Sequence, residues 1–84
     1  MTHFNFTWSH SNNTDTFRLY ENDELIVDNI KEPNFSLLMD DKPDGQYYYK
    51  VTSVNMYGES QPSATVTRSL VRPKPPTNLQ ITVE

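Results

Sequence analysis

The chain of 84 residues has no cysteine and only two glycines, Gly45 and Gly58. Without cysteine there is neither a disulfide nor a thiolate metal site, so any fold rests on packing and sheet hydrogen bonds, and the redox compartment is left open. Two glycines so placed cannot form a phosphate-cradling loop. Long apolar runs are missing too: the longest are three residues, far short of a membrane span or a signal-peptide core, so membrane insertion is not expected. Basic charge is scarce, with seven Lys and Arg against eleven Asp and Glu, a net charge of −4 and an isoelectric point near 5.0. Nucleic acid as a partner needs a basic face, and none is expected here. The histidines are His3 and His10 only, one near the start and one in a polar stretch. They offer no base around which a catalytic triad could converge, so neither an enzyme nor a cofactor is expected.

What is present is aromatic. Although only 35% of residues are hydrophobic and the mean hydropathy is −0.74, values that alone suit a disordered segment, 12% are Phe, Trp or Tyr. A chain this short has room for one core, which such side chains must dominate. Their spacing has period two, the mark of half-buried strands, and nowhere a sustained 3.6-residue repeat. Phe4, Phe6 and Trp8 alternate with Asn5 and Thr7; residues 9–15 are polar loop. Phe17 and Leu19 follow, then Tyr20, the acidic turn Glu21-Asn22-Asp23-Glu24 and the short run Leu25-Ile26-Val27. Phe35 and Leu37 precede a turn over residues 40–45. Tyr47, Tyr49, Val51 and Ser53 share one face of the longest strand, with Tyr48, Lys50 and Thr52 on the other. Ala64 and Val66 with Thr65 and Thr67 predict another strand; Leu79, Ile81 and Val83 alternate after the proline-rich residues 72–76. Seven short strands between turn signals predict an all-β, two-sheet antiparallel sandwich, with Phe4, Phe6, Trp8, Phe17, Phe35, Tyr47 and Tyr49 supplying the core.

Most of the chain resembles a fibronectin type III domain, within the immunoglobulin-like sandwiches. Phe4-Asn5-Phe6-Thr7-Trp8 resembles the family's second strand, and Phe17-Arg18-Leu19-Tyr20 its third. Lys42-Pro43-Asp44-Gly45-Gln46-Tyr47, then Tyr49, Val51, Ser53, Asn55 and Gly58-Glu59-Ser60, resemble the turn, sixth strand and following loop. The resemblance implies that Trp8, Leu19, Tyr47, Tyr49 and Val51 are structural, with Trp8 between the sheets against Tyr49 or Val51. Tyr47 would close a corner through a hydroxyl bond to the chain upstream. Two departures matter. The integrin-binding Arg-Gly-Asp tripeptide is missing, and nothing resembling the proline-led first strand precedes Phe4. A segment that does resemble it, Pro75-Pro76-Thr77-Asn78-Leu79-Gln80-Ile81-Thr82-Val83, stands at the C-terminal end.

That displacement gives the main functional expectation. Residues 3–70 would form a core of second to seventh strands, with residues 71–84 a proline-rich linker plus a first-strand-like segment. An open edge at Phe4 and Phe6 invites a strand from elsewhere. In the family's topology the seventh strand ends at the pole opposite to where the first begins, and six linker residues span about 19 Å even as polyproline. The expected partner is therefore protein: Leu79, Ile81 and Val83 would complete the next subunit head-to-tail, or a neighbouring domain in a tandem array. Charge agrees, since residues 1–67 carry four basic and ten acidic side chains, net −6, and residues 68–84 three and one, net +2. The segment could instead begin a following repeat, or fold back as a circular permutation. By analogy, a start methionine directly before the second strand suits a phage virion or bacterial surface protein, in an extracellular, cell-surface or virion setting. A rival expectation is a carbohydrate or receptor site built from Tyr48, Tyr57 and the loop 55–61, because outward tyrosines can stack on sugars or anchor a partner. Tyr20 also falls on the outward side. Asp40, Asp41 and Asp44 lack the ligand spacing of a calcium loop and read as a turn, so no metal is expected. Asp23, Glu24, Asp28 and Glu32 read as a solvated acidic face. Three Asn-x-Ser/Thr sequons, at Asn5, Asn12 and Asn34, only slightly exceed what eight asparagines would yield by chance.

Overall fold

Period-two alternation becomes seven strands in the computed structural model, which describes residues 1–83. They are β1 (His3–Thr7), β2 (Thr16–Glu21), β3 (Glu24–Ile30), β4 (Asn34–Leu38), β5 (Gly45–Asn55), β6 (Gly58–Glu59) and β7 (Val66–Leu70). The described residues contain no helix. Every pairing is antiparallel. β1 and β4 form a two-stranded sheet; the second has the order β3-β2-β5-β6, with β7 also on β5. The chain is thus all-β with two antiparallel sheets, arranged as a β-sandwich.

Each turn follows from its residues. Asn22 and Asp23 both have positive φ, 51° and 66°, as a two-residue hairpin between β2 and β3 demands, and Asn and Asp tolerate it best. The Asn22 side chain also accepts from the Tyr48 N–H at 3.1 Å, tying the turn to β5. Beyond Gly58 the predicted strand over Ala64 to Thr67 is shifted: β6 and β7 flank an irregular stretch around Pro62. There the hydroxyls of Ser60 and Ser63 accept from the Ser53 and Val51 N–H groups at 2.9 and 3.0 Å, replacing ladder carbonyls. Regular pairing resumes at Tyr49 opposite Val66, and the strand runs on to Leu70.

The sheets meet through aromatic rings. Phe4 and Phe6 pack edge-on against Tyr49, with centroids 6.0 and 4.8 Å away. Trp8 lies just past the end of β1, half-buried, with its closest ring partner Phe17 at 5.2 Å rather than the expected Tyr49. Leu19, Phe17, Tyr47 and Tyr49 are buried, as is Met39, which is wholly inaccessible. Val51 and Phe35 pack on that cluster from its margin.

Tyr47 donates its hydroxyl hydrogen to the Pro43 carbonyl, four residues upstream. Met39, just after β4, donates its N–H to the Thr2 carbonyl at 2.8 Å. Arg72 joins the same pole. Its guanidinium reaches Asp44 at 2.7 Å and the Met39 and Asp40 carbonyls at 3.2 and 3.3 Å. The exit from β7 is thereby clamped to the turn between β4 and β5.

The Tyr47 hydroxyl is shielded and its acceptor is backbone, whereas the Tyr48 hydroxyl bonds only Gln46 on the surface. Tyr47→Phe is expected to lose about 1–3 kcal/mol of stability and Tyr48→Phe almost none, read by urea denaturation. Equal losses would mean the corner bond contributes nothing.

Candidate partner-binding edge

β1 is paired on one side only among the described residues. Its register with β4 runs from His3 opposite Leu38 to Thr7 opposite Asn34. Beyond both ends the backbone bonds fall on even-numbered residues: Thr2 accepts from Met39, and Trp8 donates to Pro33 at 3.1 Å. In an antiparallel ladder the bonding side alternates along each strand. Thr2, Phe4, Phe6 and Trp8 therefore direct their peptide groups at β4, while His3, Asn5 and Thr7 present theirs to the open edge.

The inward side of that edge is a groove of about 600 Å³ between β1 and β7. Its floor is apolar, built from Phe4, Phe6, Trp8, Val51, Ala64 and Val66, with Lys50 and Arg68 also lining it. Phe4, Phe6 and Trp8 are only half-buried, and Val66 is 56% exposed. The Trp8 Nε1–H is buried in the protein and has no acceptor, an arrangement that costs free energy until a partner supplies one.

Residues 71–83 form no strand and lie exposed. Leu79, Ile81 and Val83 are 91%, 86% and 90% exposed, so within this one chain they do not pack on Phe4 or Phe6 and the fold-back permutation is not formed. The molecule measures 75 Å along its long axis against 20 and 18 Å across. The structure thus holds the two halves of the expected contact apart.

The rival site is not assembled either. Tyr48 lies on the outer face of β5, 46% exposed, while Tyr57 sits past the far end of that strand and is 89% exposed. Seven strand residues separate Tyr48 from Asn55, about 24 Å at 3.4 Å per residue. Tyr57 shares a small polar hollow with Ser11, Asn13 and Ser60 instead. The acidic face is more than solvated charge. Asp28 pairs with Arg18 at 3.1 Å, and Asp23 with Lys50 at 2.6 Å. Asp40 accepts from the Thr2 N–H, and Asp44 binds Arg72; among the described residues no three His, Asp or Glu converge as metal ligands. His3 and His10 stay exposed. Of the sequons, Asn5 already receives a bond from Ser36 at 2.6 Å across the β1–β4 pair.

Sequence reasoning missed Glu59, the hub of the outer face. Its carboxylate accepts from Thr52 at 2.6 Å, from Tyr20 and from Arg18 at 3.0 Å. The Thr52 bond, then those from Tyr20 and Arg18, hold the Glu59 carboxyl below the usual carboxylate range, and the same contact raises the Tyr20 phenol. Thr52 is buried beneath this cap although its face looks outward. Glu21, partly buried, likewise takes Lys42 and the Tyr49 hydroxyl, each at 2.8 Å; burial first and Glu21 second raise the Tyr49 phenol.

No protein-family model, no curated protein and no solved structure matches this chain.

A carboxyl whose folded pKa is depressed stabilises the fold fully above its unfolded value of about 4.3, and that contribution disappears as pH falls through the folded value. Wild type should therefore melt above Glu59→Gln at pH 6, with the gap closing on acidification below about pH 4. Thermal melts across this range check it; a constant gap would show that Glu59 acts through shape rather than charge.

Proposed function

We propose that the protein is a non-enzymatic structural or interaction module of the fibronectin type III kind, whose open β1 edge is completed by a strand from outside its own sandwich. Head-to-tail assembly with copies of itself, or membership of a tandem array, meets that need. An extracellular, bacterial-surface or virion setting suits such an assembly. The observation that carries the reading is the pairing of two unsatisfied surfaces in one chain: an open β1 edge above an apolar groove, and an extended segment whose alternating apolar side chains touch nothing. Exposed strand edges recruit strands, and exposed apolar stripes mark contact surfaces. Because donor and acceptor are different surfaces, the contact is head-to-tail and yields a ring or an open chain rather than a two-fold dimer.

Solution mass tests this directly. The full chain should grow in mass with concentration, and deletion of residues 75–84 should leave a less stable monomer that an added peptide of residues 77–84 restabilises. A full chain that stays monomeric at millimolar concentration overturns self-assembly and leaves only the tandem array.

A second reading draws on the β5–β6 hairpin tip, where Met56 and Tyr57 are 83% and 89% exposed beside the Asn13 hollow. A carbohydrate- or receptor-binding role there predicts reproducible glycan-array binding that Tyr57→Ala abolishes; silence on the array leaves the structural module alone standing.

A further inference from the structure

Resting on the strand-addition reading, we propose a specific contact: residues 79–83 of one copy pair antiparallel with β1 of a second copy, Leu79 opposite Trp8, Ile81 opposite Phe6 and Val83 opposite Phe4.

Direction follows from the Arg72 clamp. Arg72 bonds the Met39 carbonyl, and Met39 bonds Thr2, so the chain leaves β7 at the His3 end of β1. An antiparallel partner must enter at the opposite, Trp8 end. From His3 to Trp8 is about 17 Å of strand, and the six residues 73–78 between the clamp and Leu79, proline at three of their positions, span about 19 Å as polyproline. The chain's own segment would have to run the whole strand fully extended and then reverse within the roughly 2 Å that remain while the clamp holds. A copy stacked end-on presents its segment at that entrance directly. Within one molecule a parallel strand needs no such reversal, but parallel pairing is slightly less stable per residue.

Register follows from parity and from Asn78. Side chains of directly opposed residues lie on the same face, so Leu79, Ile81 and Val83 enter the groove only opposite even-numbered residues of β1. Asn78 has φ of 60°, a left-handed conformation that ends extended chain, which makes Leu79 the first strand residue. Only with Ile81 opposite Phe6 do three aliphatic side chains meet three aromatic ones. Sliding by two residues either way leaves one apolar donor beside Thr2 or His10. The chosen register sets the donor's peptide groups at Gln80 and Thr82 against those of Thr7 and Asn5, the positions whose bonds point to the open edge. It also brings the turn at Asn78 beside Trp8, whose Nε1–H has no acceptor.

Because the chain has no cysteine, single-cysteine variants report the register. Asn5 and Thr82 would form a hydrogen-bonded pair with Cα atoms about 5.5 Å apart, inside the range for a disulfide. Full-length Asn5→Cys mixed with full-length Thr82→Cys should cross-link under mild oxidation at least tenfold faster than Asn5→Cys with Gln80→Cys or Thr7→Cys with Thr82→Cys. Fast linkage in both of the latter mixtures means a parallel strand, and in one of them a slipped register; either overturns the proposal. The double variant Asn5→Cys, Thr82→Cys should give a ladder of oligomers on a non-reducing gel, whereas an internally closed monomer would place the strand in its own groove. If no pair links while mass still rises with concentration, this contact is wrong and head-to-tail assembly stands. A chain monomeric at every concentration removes both.

Discussion

The β1–β4 pair depends on Tyr49. Two strands alone are at best marginally stable in water and gain independence only by packing on something else. Here that packing is Phe4 and Phe6 set edge-on against one ring, which β5 holds at the centre of the larger sheet. Tyr49 is immobilised from its other end, where its hydroxyl donates to Glu21 and approaches the Met39 sulfur at 3.7 Å. Glu21 is held by Lys42, and Lys42 stands over the Tyr47 ring at 6.0 Å. One chain of contacts thus runs from the small sheet, through the core, to the pole that Arg72 clamps.

That arrangement explains why the groove is open. The five-stranded sheet is wider than the two-stranded one laid on it, so part of β5 and β7 has no layer above it. Val51 and Val66 are the side chains left facing the gap, and β1 is the strand that borders it. One more strand on β1 would cover them, bond its free peptide groups and finish burying Phe4, Phe6 and Trp8. The same vacancy is a hazard, since an open edge accepts any strand. Its own edge residues, His3, Asn5 and Thr7, are polar, and apolar contact is available only to a strand with the right parity.

Much of the strand framework was legible because large aromatics alternate without interruption at Phe4 to Trp8, Phe17 to Leu19 and Tyr47 to Val51, and a half-buried sheet imposes just that period. The irregular stretch around Pro62 was not legible. Ala64, Thr65, Val66 and Thr67 alternate well enough, but the ladder there is set by which hydroxyl reaches β5, a tertiary matter. Glu59 and Arg72 were missed for a related reason: a carboxylate in a Gly-Glu-Ser loop and an arginine before a proline look like ordinary surface residues. Their partners, Thr52 and Tyr20 in one case and Asp44 in the other, are distant in sequence. Trp8 was expected in the core against Tyr49 or Val51, whereas its ring turns toward Phe17 and the groove.

The clamp turns a shortage of linker into directionality. A flexible connection of the same length would let residues 77–83 explore both their own groove and a neighbour's, and at low concentration the internal site would win by effective concentration. Arg72 shortens the free linker before Leu79 to residues 73–78, and the prolines among them stiffen it along its extended direction. About 19 Å of extended linker against about 17 Å of strand leaves an internal antiparallel return almost no length in which to reverse, which favours the intermolecular contact proposed above. Asp44, whose carboxylate anchors Arg72, sits in the same turn whose Pro43 carbonyl receives the Tyr47 bond. Folding of the corner and fixing of the exit from β7 are therefore coupled, because the loop that seals the core also holds Arg72.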